Sequence, residues 1–267
     1  MAKGVASLCC YVLLLAFVVD AVHQQRIHNK PMAVAPADSK AMYSEYLFEG
    51  DIMTPYLKQG NNALKSSMGS FFGNALQNRQ ARWENGTVVK EVIGAAMKDY
   101  EAYTCITFKE KENQDTDYVE IISGEGCASS VGKIGGNQTL ILGTGCVFKG
   151  IVMHELMHTL GFYHEQSRTD RDAYVTINLN NVKPGTENNF DSYGIDLIDA
   201  LNTTYDYNSL MHYSSTAFSK NGEATIVPKQ TGMKIGNRKG LSSTDAEKIN
   251  KYYECPDTYP APSEVVL

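Results

Sequence analysis

The densest set of metal-binding side chains lies in the stretch HELMHTLGFYHE at 154–165. His154 and His158 are four residues apart, so on a helix both imidazoles project from one face and can bind one metal ion. Gly161 permits a left-handed turn that would bring His164 back as a third ligand. Three imidazoles with an open fourth position predict a catalytic zinc site, because a structural zinc is usually closed by four protein ligands.

Glu155 directly follows the first histidine and lies about 100° further round the helix. From there its carboxylate can reach a water molecule beside the metal without binding the metal, which is the position of a general base. The alternative interpretation is a helix whose histidines pack in the core or on the surface without a metal. The full pattern with Gly161 and His164 is far rarer by chance than HExxH alone and favours the metal site.

Two helices are predicted to position these residues, one at about 149–161 that ends at Gly161 and one further upstream. The upstream helix is indicated by apolar residues at helical spacing, namely Val89, Val92, Ile93, Ala96, Met97, Tyr100 and Tyr103.

Strand-like runs occur at 104–108, 118–122 and 139–142, and the Gly-rich stretch at 123–136 is predicted to be a loop. Beyond the second helix the chain shows little periodicity, so irregular structure is expected there.

The composition indicates a globular protein, with 267 residues of which 43% are hydrophobic and 20% charged. Twenty-four basic and thirty acidic residues give a net charge of −6. The sequence has no Lys/Arg-rich run, so nothing indicates a nucleic-acid partner.

An uncharged, mostly apolar block at 8–19 predicts a secretory leader that is cleaved after Ala21. The block is shorter than the roughly 20 residues that span a bilayer, so no stable membrane anchor is expected. A membrane anchor or a buried helix is the alternative. The leader predicts a secreted, extracellular protein.

Four of the six cysteines remain after a leader containing Cys9 and Cys10 is removed, and an even number in a secreted chain predicts two disulfides. These four are Cys105, Cys127, Cys146 and Cys255, and the sequence alone allows three pairings. Glycosylation acceptor triplets begin at Asn85, Asn137 and Asn202.

The segments HELMHTLGFYHEQSRTDRD at 154–172 and SLMHY at 209–213 closely resemble the astacin family of metzincin zinc metalloproteases. The resemblance runs from about Phe48 to Cys255 and is to small single-domain members of the digestive or hatching-enzyme type. It implies an α+β fold, with a twisted mixed sheet and two long helices in the upper half. A mostly irregular lower half would lie across a zinc cleft.

Several site residues are implied by the resemblance alone. Met211 would form a turn beneath the zinc, and the hydroxyl of Tyr213 would stabilise the transition state. Ordinary core packing is the alternative for both residues. The family pattern would also pair Cys105 with Cys255 and Cys127 with Cys146.

The segment Phe48-Glu-Gly-Asp51 resembles the family's pro-segment motif, in which the aspartate binds the zinc and keeps the zymogen inactive. The implied organisation is a leader at 1–21, a pro-segment at 22–73 and a catalytic domain at 74–267. The new N-terminus near Asn74 would reach Glu165 after an activating protease has cut. A simple loop at 48–51 and a solvated charge at Glu165 are the alternatives.

The sequence therefore predicts a secreted zinc-dependent endopeptidase that hydrolyses internal peptide bonds of protein substrates, with Glu155 as general base. A zinc-binding protein that holds peptides or matrix or egg-coat proteins without cutting them is the second hypothesis. A secreted structural glycoprotein with incidental histidines is the third.

One interval departs from the family pattern. The residues between Trp83 and Cys105 are fewer by roughly ten than the family usually has, which exceeds a typical strand of about five or six. The strand expected before the first helix is reduced to about 87–89.

Overall fold

The computed structural model describes residues 12–14, 40–45, 47, 49–53, 75–76 and 91–262. These residues form an α+β fold with three α-helices, α1 (Glu91–Tyr103), α2 (Lys149–Thr159) and α3 (Ser243–Tyr252). The strands in the same ranges are β1 (Val12–Leu14), β2 (Ala75–Leu76), β3 (Phe108–Glu110), β4 (Tyr118–Ile122), β5 (Cys127–Ser129), β6 (Asn137–Leu142), β7 (Val175–Ile177), β8 (Ile198–Asp199) and β9 (Ile226–Pro228).

The main sheet has the strand order β3-β1-β4-β6-β5. β1 runs parallel to β3 and β4, β4 runs parallel to β6, and β5 runs antiparallel to β6 at the edge. α1 packs against α2, where the Tyr100 hydroxyl donates to the Met153 carbonyl at 2.6 Å. The sheet and helices thereby enclose the core that supports α2, while β7 with β9 and β2 with β8 form two small antiparallel pairs.

Most of the predicted elements upstream of the metal motif are confirmed. The helix predicted at 149–161 is α2, and Gly161 follows it with a φ of +106°. The runs at 118–122 and 139–142 lie in β4 and β6. The strand predicted at 104–108 is wrong except for its last residue, because the Thr104 hydroxyl donates back to the Tyr100 carbonyl and prolongs the end of α1.

The loop predicted at 123–136 is wrong because it contains the edge strand β5. All three residues of β5 are buried, so the strand has no alternation of polar and apolar side chains to reveal it. Pairing with β6 and a disulfide from Cys127 to Cys146 hold it in place. The second disulfide joins Cys105 to Cys255, so both pairings implied by the resemblance are confirmed.

The chain after α2 is mostly irregular, as expected, but the sequence prediction missed α3. This helix begins with a capping box, in which the Ser242 hydroxyl accepts from the Asp245 N–H and the Asp245 carboxylate accepts from the Ser242 N–H. Ser242 and Asp245 stand just ahead of buried Ala246, Ile249 and Tyr252. This spacing was readable as a helix start.

Replacing the Ser242 cap by alanine is expected to lower the free energy of unfolding by about 1 kcal/mol, because an N–H at the start of α3 loses its acceptor. Ser243→Ala is the matched control, since Ser243 is exposed on the first turn. Urea denaturation of both variants measures the difference. Equal stability of the two variants would show that the cap contributes nothing.

The first strand of the main sheet comes from the region that the sequence predicts to be a leader. Val12 is paired with Phe108 of β3, and Leu14 with both Glu110 of β3 and Val119 of β4. The shortened strand predicted at 87–89 lies outside the described residues. The N-terminal segment thus lies between two strands that do not pair with each other.

Two of the three predicted glycosylation sites can be placed. Asn137 and Asn202 are exposed, and Asn85 lies outside the described residues. No helix within the described ranges has both the length and the apolar character needed to cross a bilayer.

Candidate metal centre

The metal motif lies on a helix that is buried along almost its whole length. Every residue of α2 from Gly150 to Thr159 is buried, including His154, Glu155 and His158. The backbone of α2 at Gly150 lies against the backbone of Arg238. A Cβ on Gly150 would lie 1.9 Å from the Arg238 carbonyl oxygen. These side chains are therefore fixed in an interior with little access to bulk water.

Gly161 reverses the chain after α2 and brings His164 to the two helix histidines, as the sequence predicts. The Gly161 N–H donates to the His158 carbonyl at 2.8 Å and closes the turn. The Nε2 atoms of His154 and His164 are 3.2 Å apart. All three imidazoles are completely buried.

Asp51 supplies a fourth side chain to this cluster from 103 residues upstream of His154. Its Oδ2 lies 3.2 Å from Nε2 of both His154 and His164, and its Oδ1 lies 3.4 Å from Nε2 of His158. One ligand atom from each of the four residues lies within 4.8 Å of the others. The predicted meeting of Asp51 with the three histidines is thus observed.

The donor set fits the zinc ion that the motif implies. Asp51 Oδ1 and His158 Nε2 are buried, face each other and have no hydrogen-bond partner among the described residues. Buried polar atoms left without partners cost free energy unless an ion or water satisfies them. Three imidazole nitrogens and one carboxylate oxygen are ligands that zinc accepts in tetrahedral sites.

The other ring nitrogen of each histidine is held by a hydrogen bond. Nδ1 of His154 donates to the Leu210 carbonyl at 2.8 Å, and Nδ1 of His158 donates to the Phe162 carbonyl at 2.7 Å. Nδ1 of His164 donates instead to Oε2 of Glu49 at 2.5 Å. These partners direct each Nε2 toward the centre, and an imidazole in its neutral form then presents its Nε2 lone pair there.

Burial and mutual charge set the protonation of the cluster. Burial alone would raise the pKa of Asp51, but the charge of His164, followed by the close approach of His154 and His158, holds it well below its usual range. Burial lowers the pKa of His164, yet Asp51 and Glu49 together raise it to about 9. Asp51 is therefore an ionised carboxylate, the form that binds a metal.

Glu155 lies beside the cluster without joining it. Both of its carboxylate oxygens are buried and have no hydrogen-bond partner within the described part of the chain. Burial, followed by the charge of Asp51, raises the pKa of Glu155 well above its usual range. A carboxylate with a raised pKa and free oxygens can accept and return a proton.

The turn at 209–212 contains Met211, which is completely buried. Its role beneath the zinc remains a prediction. The preceding residue Leu210 offers the carbonyl that holds His154. Asp245 fixes this turn by accepting from the Ser209 hydroxyl and the Leu210 N–H, both at 2.7 Å. The N-terminus of α3 thereby supports a zinc-ligand histidine through one intervening turn.

Tyr213 lies next to the cluster, with its ring centroid 4.6 Å from that of His164. Its hydroxyl donates to the backbone carbonyl of Glu49. The phenol is thus engaged by the upstream segment rather than by the four-residue cluster.

The alternative interpretation of Glu165 as a solvated charge is wrong. It is completely buried and binds Lys248 Nζ at 2.5 Å and Arg168 at 3.3 Å. Burial opposes its ionisation, but Lys248 and then Arg168 keep the pKa of Glu165 below its usual value. The contact to a new N-terminus near Asn74 remains a prediction.

The segment that carries Asp51 pairs with the edge strand β5 at one residue. The Ser129 N–H donates to the Asp51 carbonyl at 3.0 Å, and the Met53 N–H donates to the Ser129 carbonyl at 2.9 Å. Ile52 pairs with Ser129 in parallel. The edge of β5 can therefore accept an extended peptide through backbone hydrogen bonds.

Three contributors to the centre were missed by the sequence prediction, namely Glu49, Arg238 and Asp245. Arg238 donates to the carbonyls of Leu210 and His212 at 3.0 and 3.1 Å. The capping box around Asp245 could have marked that residue. Glu49 and Arg238 carried no local signal, because each acts across more than twenty residues of sequence.

Two buried histidines on a helix, a third just beyond the turn that ends it and a carboxylic acid beside them define a metallopeptidase-type zinc site. The family model described as "Astacin", a peptidase family, matches residues 81–254. The chain belongs to the astacin family.

Curated relatives agree with this membership. The chain is 45% identical over 237 residues to zinc metalloproteinase nas-15 of Caenorhabditis elegans, covering 82% of this chain and 41% of that protein. It is 45% identical over 169 residues to meprin A subunit beta of Mus musculus, covering 62% of this chain and 24% of that protein. The chain thus spans less than half the length of these two relatives.

A solved structure shares the fold. High choriolytic enzyme 1, a hatching enzyme zinc-protease from the medaka fish Oryzias latipes, has a TM-score of 0.62 and 35% sequence identity. The similarity covers 72% of this chain and the whole of that chain. The α+β, astacin-like architecture predicted from the sequence is confirmed.

Proposed function

We propose that the chain is a zinc-dependent endopeptidase that is secreted as an inactive precursor and hydrolyses internal peptide bonds of protein substrates. The observation that carries the proposal is the buried cluster of His154, His158 and His164 with Glu155 beside it and Asp51 across it. The disulfides and the family membership support secretion.

The three histidines would hold the zinc, which supplies Lewis acidity to a water molecule and to the scissile carbonyl when it is bound. Glu155 would accept a proton from the attacking water and return it to the leaving amine, since its carboxylate is buried and unpartnered beside the histidines. The Tyr213 hydroxyl would donate a hydrogen bond to the developing oxyanion after the segment with Glu49 has left.

An extended substrate would bind where Ile52 now lies. Ser129 of β5 already offers its N–H and its carbonyl to the backbone of the upstream segment. An edge strand that pairs with one extended chain can pair with another, and such pairing is independent of side chains. The pairing would orient the scissile bond at the centre.

The zymogen would consist of a leader at 1–21, a pro-segment at 22–73 and a catalytic domain at 74–267. The Asp51 carboxylate lies beside the histidines, where a water molecule would need to bind. The backbone carbonyl of Glu49 accepts the hydrogen bond of the Tyr213 hydroxyl. An activating protease that cuts near residue 74 would release both contacts.

Asp51→Ala in the full chain is expected to produce partial peptide cleavage before any processing, because the carboxylate no longer occupies the centre although Ile52 still pairs with Ser129 of β5. Glu45→Ala is the matched control, since Glu45 lies on the same segment but pairs with Lys183 in a half-exposed ion pair. Cleavage of a quenched peptide by each uncut variant measures latency. Equal latency of both variants would show that Asp51 does not silence the centre.

Metal removal tests the proposed activity directly. The processed chain is expected to hold about one zinc ion and to digest casein, and a chelator should remove the activity until zinc is restored. Metal analysis and digestion on the same preparation measure both. Stoichiometric zinc without cleavage would favour the peptide-binding alternative, and absence of zinc would overturn both proposals.

A further inference from the structure

The carboxylate of Glu49 is completely buried and accepts three hydrogen bonds beside the metal cluster. Its Oε2 accepts from His164 Nδ1 at 2.5 Å, and its Oε1 accepts from the Tyr193 hydroxyl at 2.5 Å and from the Ser167 hydroxyl. Glu49 belongs to the segment that activation would remove, whereas the three donors belong to the catalytic domain. Activation therefore uncovers a set of donors already arranged around a carboxylate.

The three donors are fixed by the catalytic domain itself. Ser167 ends the short 3-10 helix that begins one residue after His164. The Tyr193 N–H donates to the Ser167 carbonyl at 2.9 Å, and the Tyr193 ring lies 5.4 Å from the ring of Tyr163. The two hydroxyls are thus held together by backbone and ring contacts that do not involve Glu49.

The donor set selects a carboxylate over an amide. All three groups donate, and the two oxygens of a carboxylate can accept all three bonds. The amide nitrogen of a glutamine has no lone pair to accept from His164 Nδ1 or from the hydroxyls. An imidazole that binds a cation through Nε2 is also a stronger donor through Nδ1, so the bond to an anion is charge-assisted.

We propose that His164, Ser167 and Tyr193 form a carboxylate subsite of the cleft, which binds a glutamate side chain of the protein substrate. Glu49 lies two residues from Asp51, whose carboxylate is at the metal cluster. The chain turns between Glu49 and Asp51, with positive φ at Glu49 and Gly50, and His164 belongs to both the donor set and the metal cluster. A substrate glutamate in the subsite therefore lies close to the scissile bond. This inference rests on the proposed function.

The first experiment examines the donors in the unprocessed full chain, where catalysis plays no part. Hydrogen exchange at the Met53 amide, which is protected by Ser129, reports release of the segment. Glu49→Gln is expected to accelerate this exchange by about 10- to 100-fold, the loss typical of hydrogen bonds to a charged group. Glu45→Gln on the same segment is the control, with an expected change below about twofold.

A double-mutant cycle shows whether the effect of the Glu49 charge depends on the hydroxyls of Ser167 and Tyr193. In a Ser167→Ala, Tyr193→Phe background, Glu49→Gln should accelerate the exchange by less than about threefold. Tyr193→Phe alone removes only one hydroxyl and should give an intermediate value, which covers the case in which the double variant folds poorly. An undiminished effect of Glu49→Gln in both backgrounds would overturn the proposed recognition.

The second experiment uses the processed protein and pairs of quenched peptides that differ only by glutamate or glutamine at one position near the cleaved bond. At one position the glutamate peptide is expected to have about a tenfold higher kcat/KM. The ratio should approach one in the Ser167→Ala, Tyr193→Phe variant. If glutamate is preferred at no position, the three donors serve only to bind Glu49 of the pro-segment, and the proposed subsite is overturned.

Failure of the proposed function gives a different pattern. In that case no peptide is cleaved, and the same pairs are compared by fluorescence anisotropy with zinc present. Binding of a glutamate peptide about tenfold tighter than its glutamine partner would still support the subsite. Equal binding would overturn it.

Discussion

Glu155→Gln is expected to lower kcat for peptide cleavage by about 10²–10⁴, the range that a positioned general acid–base contributes. The amide has nearly the shape of the carboxylate but cannot accept the proton of the attacking water. The metal should remain bound, because Glu155 is not one of the four clustered residues. Steady-state kinetics and zinc content of the processed variant measure the two effects separately.

The control for this substitution is Glu101→Gln, an exposed glutamate on α1. It is expected to leave kcat within about twofold, since surface substitutions away from special features have small effects. Retention of wild-type kcat by Glu155→Gln would refute the assignment of the general base. Loss of zinc in that variant would assign the residue a role in metal binding instead.

Lys248→Met is expected to lower the free energy of unfolding by about 3 kcal/mol, because it leaves Glu165 charged and buried with only part of its partners. Both side chains of the pair are completely buried, with 2.5 Å between Lys248 Nζ and Glu165 Oε2. The value lies at the low end for a broken buried pair, since Arg168 remains 3.3 Å from the same carboxylate. Urea denaturation at neutral pH measures it.

The matched control is Lys251→Met, which breaks an exposed pair with Glu247 on the same helix and a hydrogen bond to the Leu201 carbonyl, and should cost at most about 1.5 kcal/mol. The difference between Lys248→Met and the wild-type chain should also depend on pH. Because the pKa of Glu165 is lowered in the folded chain, its stabilisation is present above the ordinary glutamate pKa and is lost as the pH falls through the lowered value. A difference that is constant through this range would contradict the assigned ion pair.

The metal ligands were the most predictable part of the site, because helix geometry alone brings His154 and His158 together. Gly161 extended the prediction to His164, since its positive φ is a conformation that glycine adopts without strain. Asp51 required the family resemblance. No local rule connects an acidic turn to a cluster that lies 103 residues away in the sequence.

Contacts among distant buried residues account for what the sequence did not predict. Glu49 meets three donors that come from two later segments, and no periodicity encodes such a meeting. β5 was missed because a three-residue strand with every side chain buried has no alternating pattern. α3 was missed for the opposite reason, because its local capping signal at Ser242 was present but was outweighed by the polar composition around it.

The position of β1 has a consequence for the order of maturation. If residues 1–21 are removed, β3 loses its one partner among the described strands and β4 loses the partner on one of its two sides. The interior of the sheet would then have a seam flanked by two rows of unpaired backbone groups, which invite a replacement strand from another polypeptide. If the leader is removed early, pairing of β3 and β4 with a strand of a second chain would thus compete with folding of the single chain.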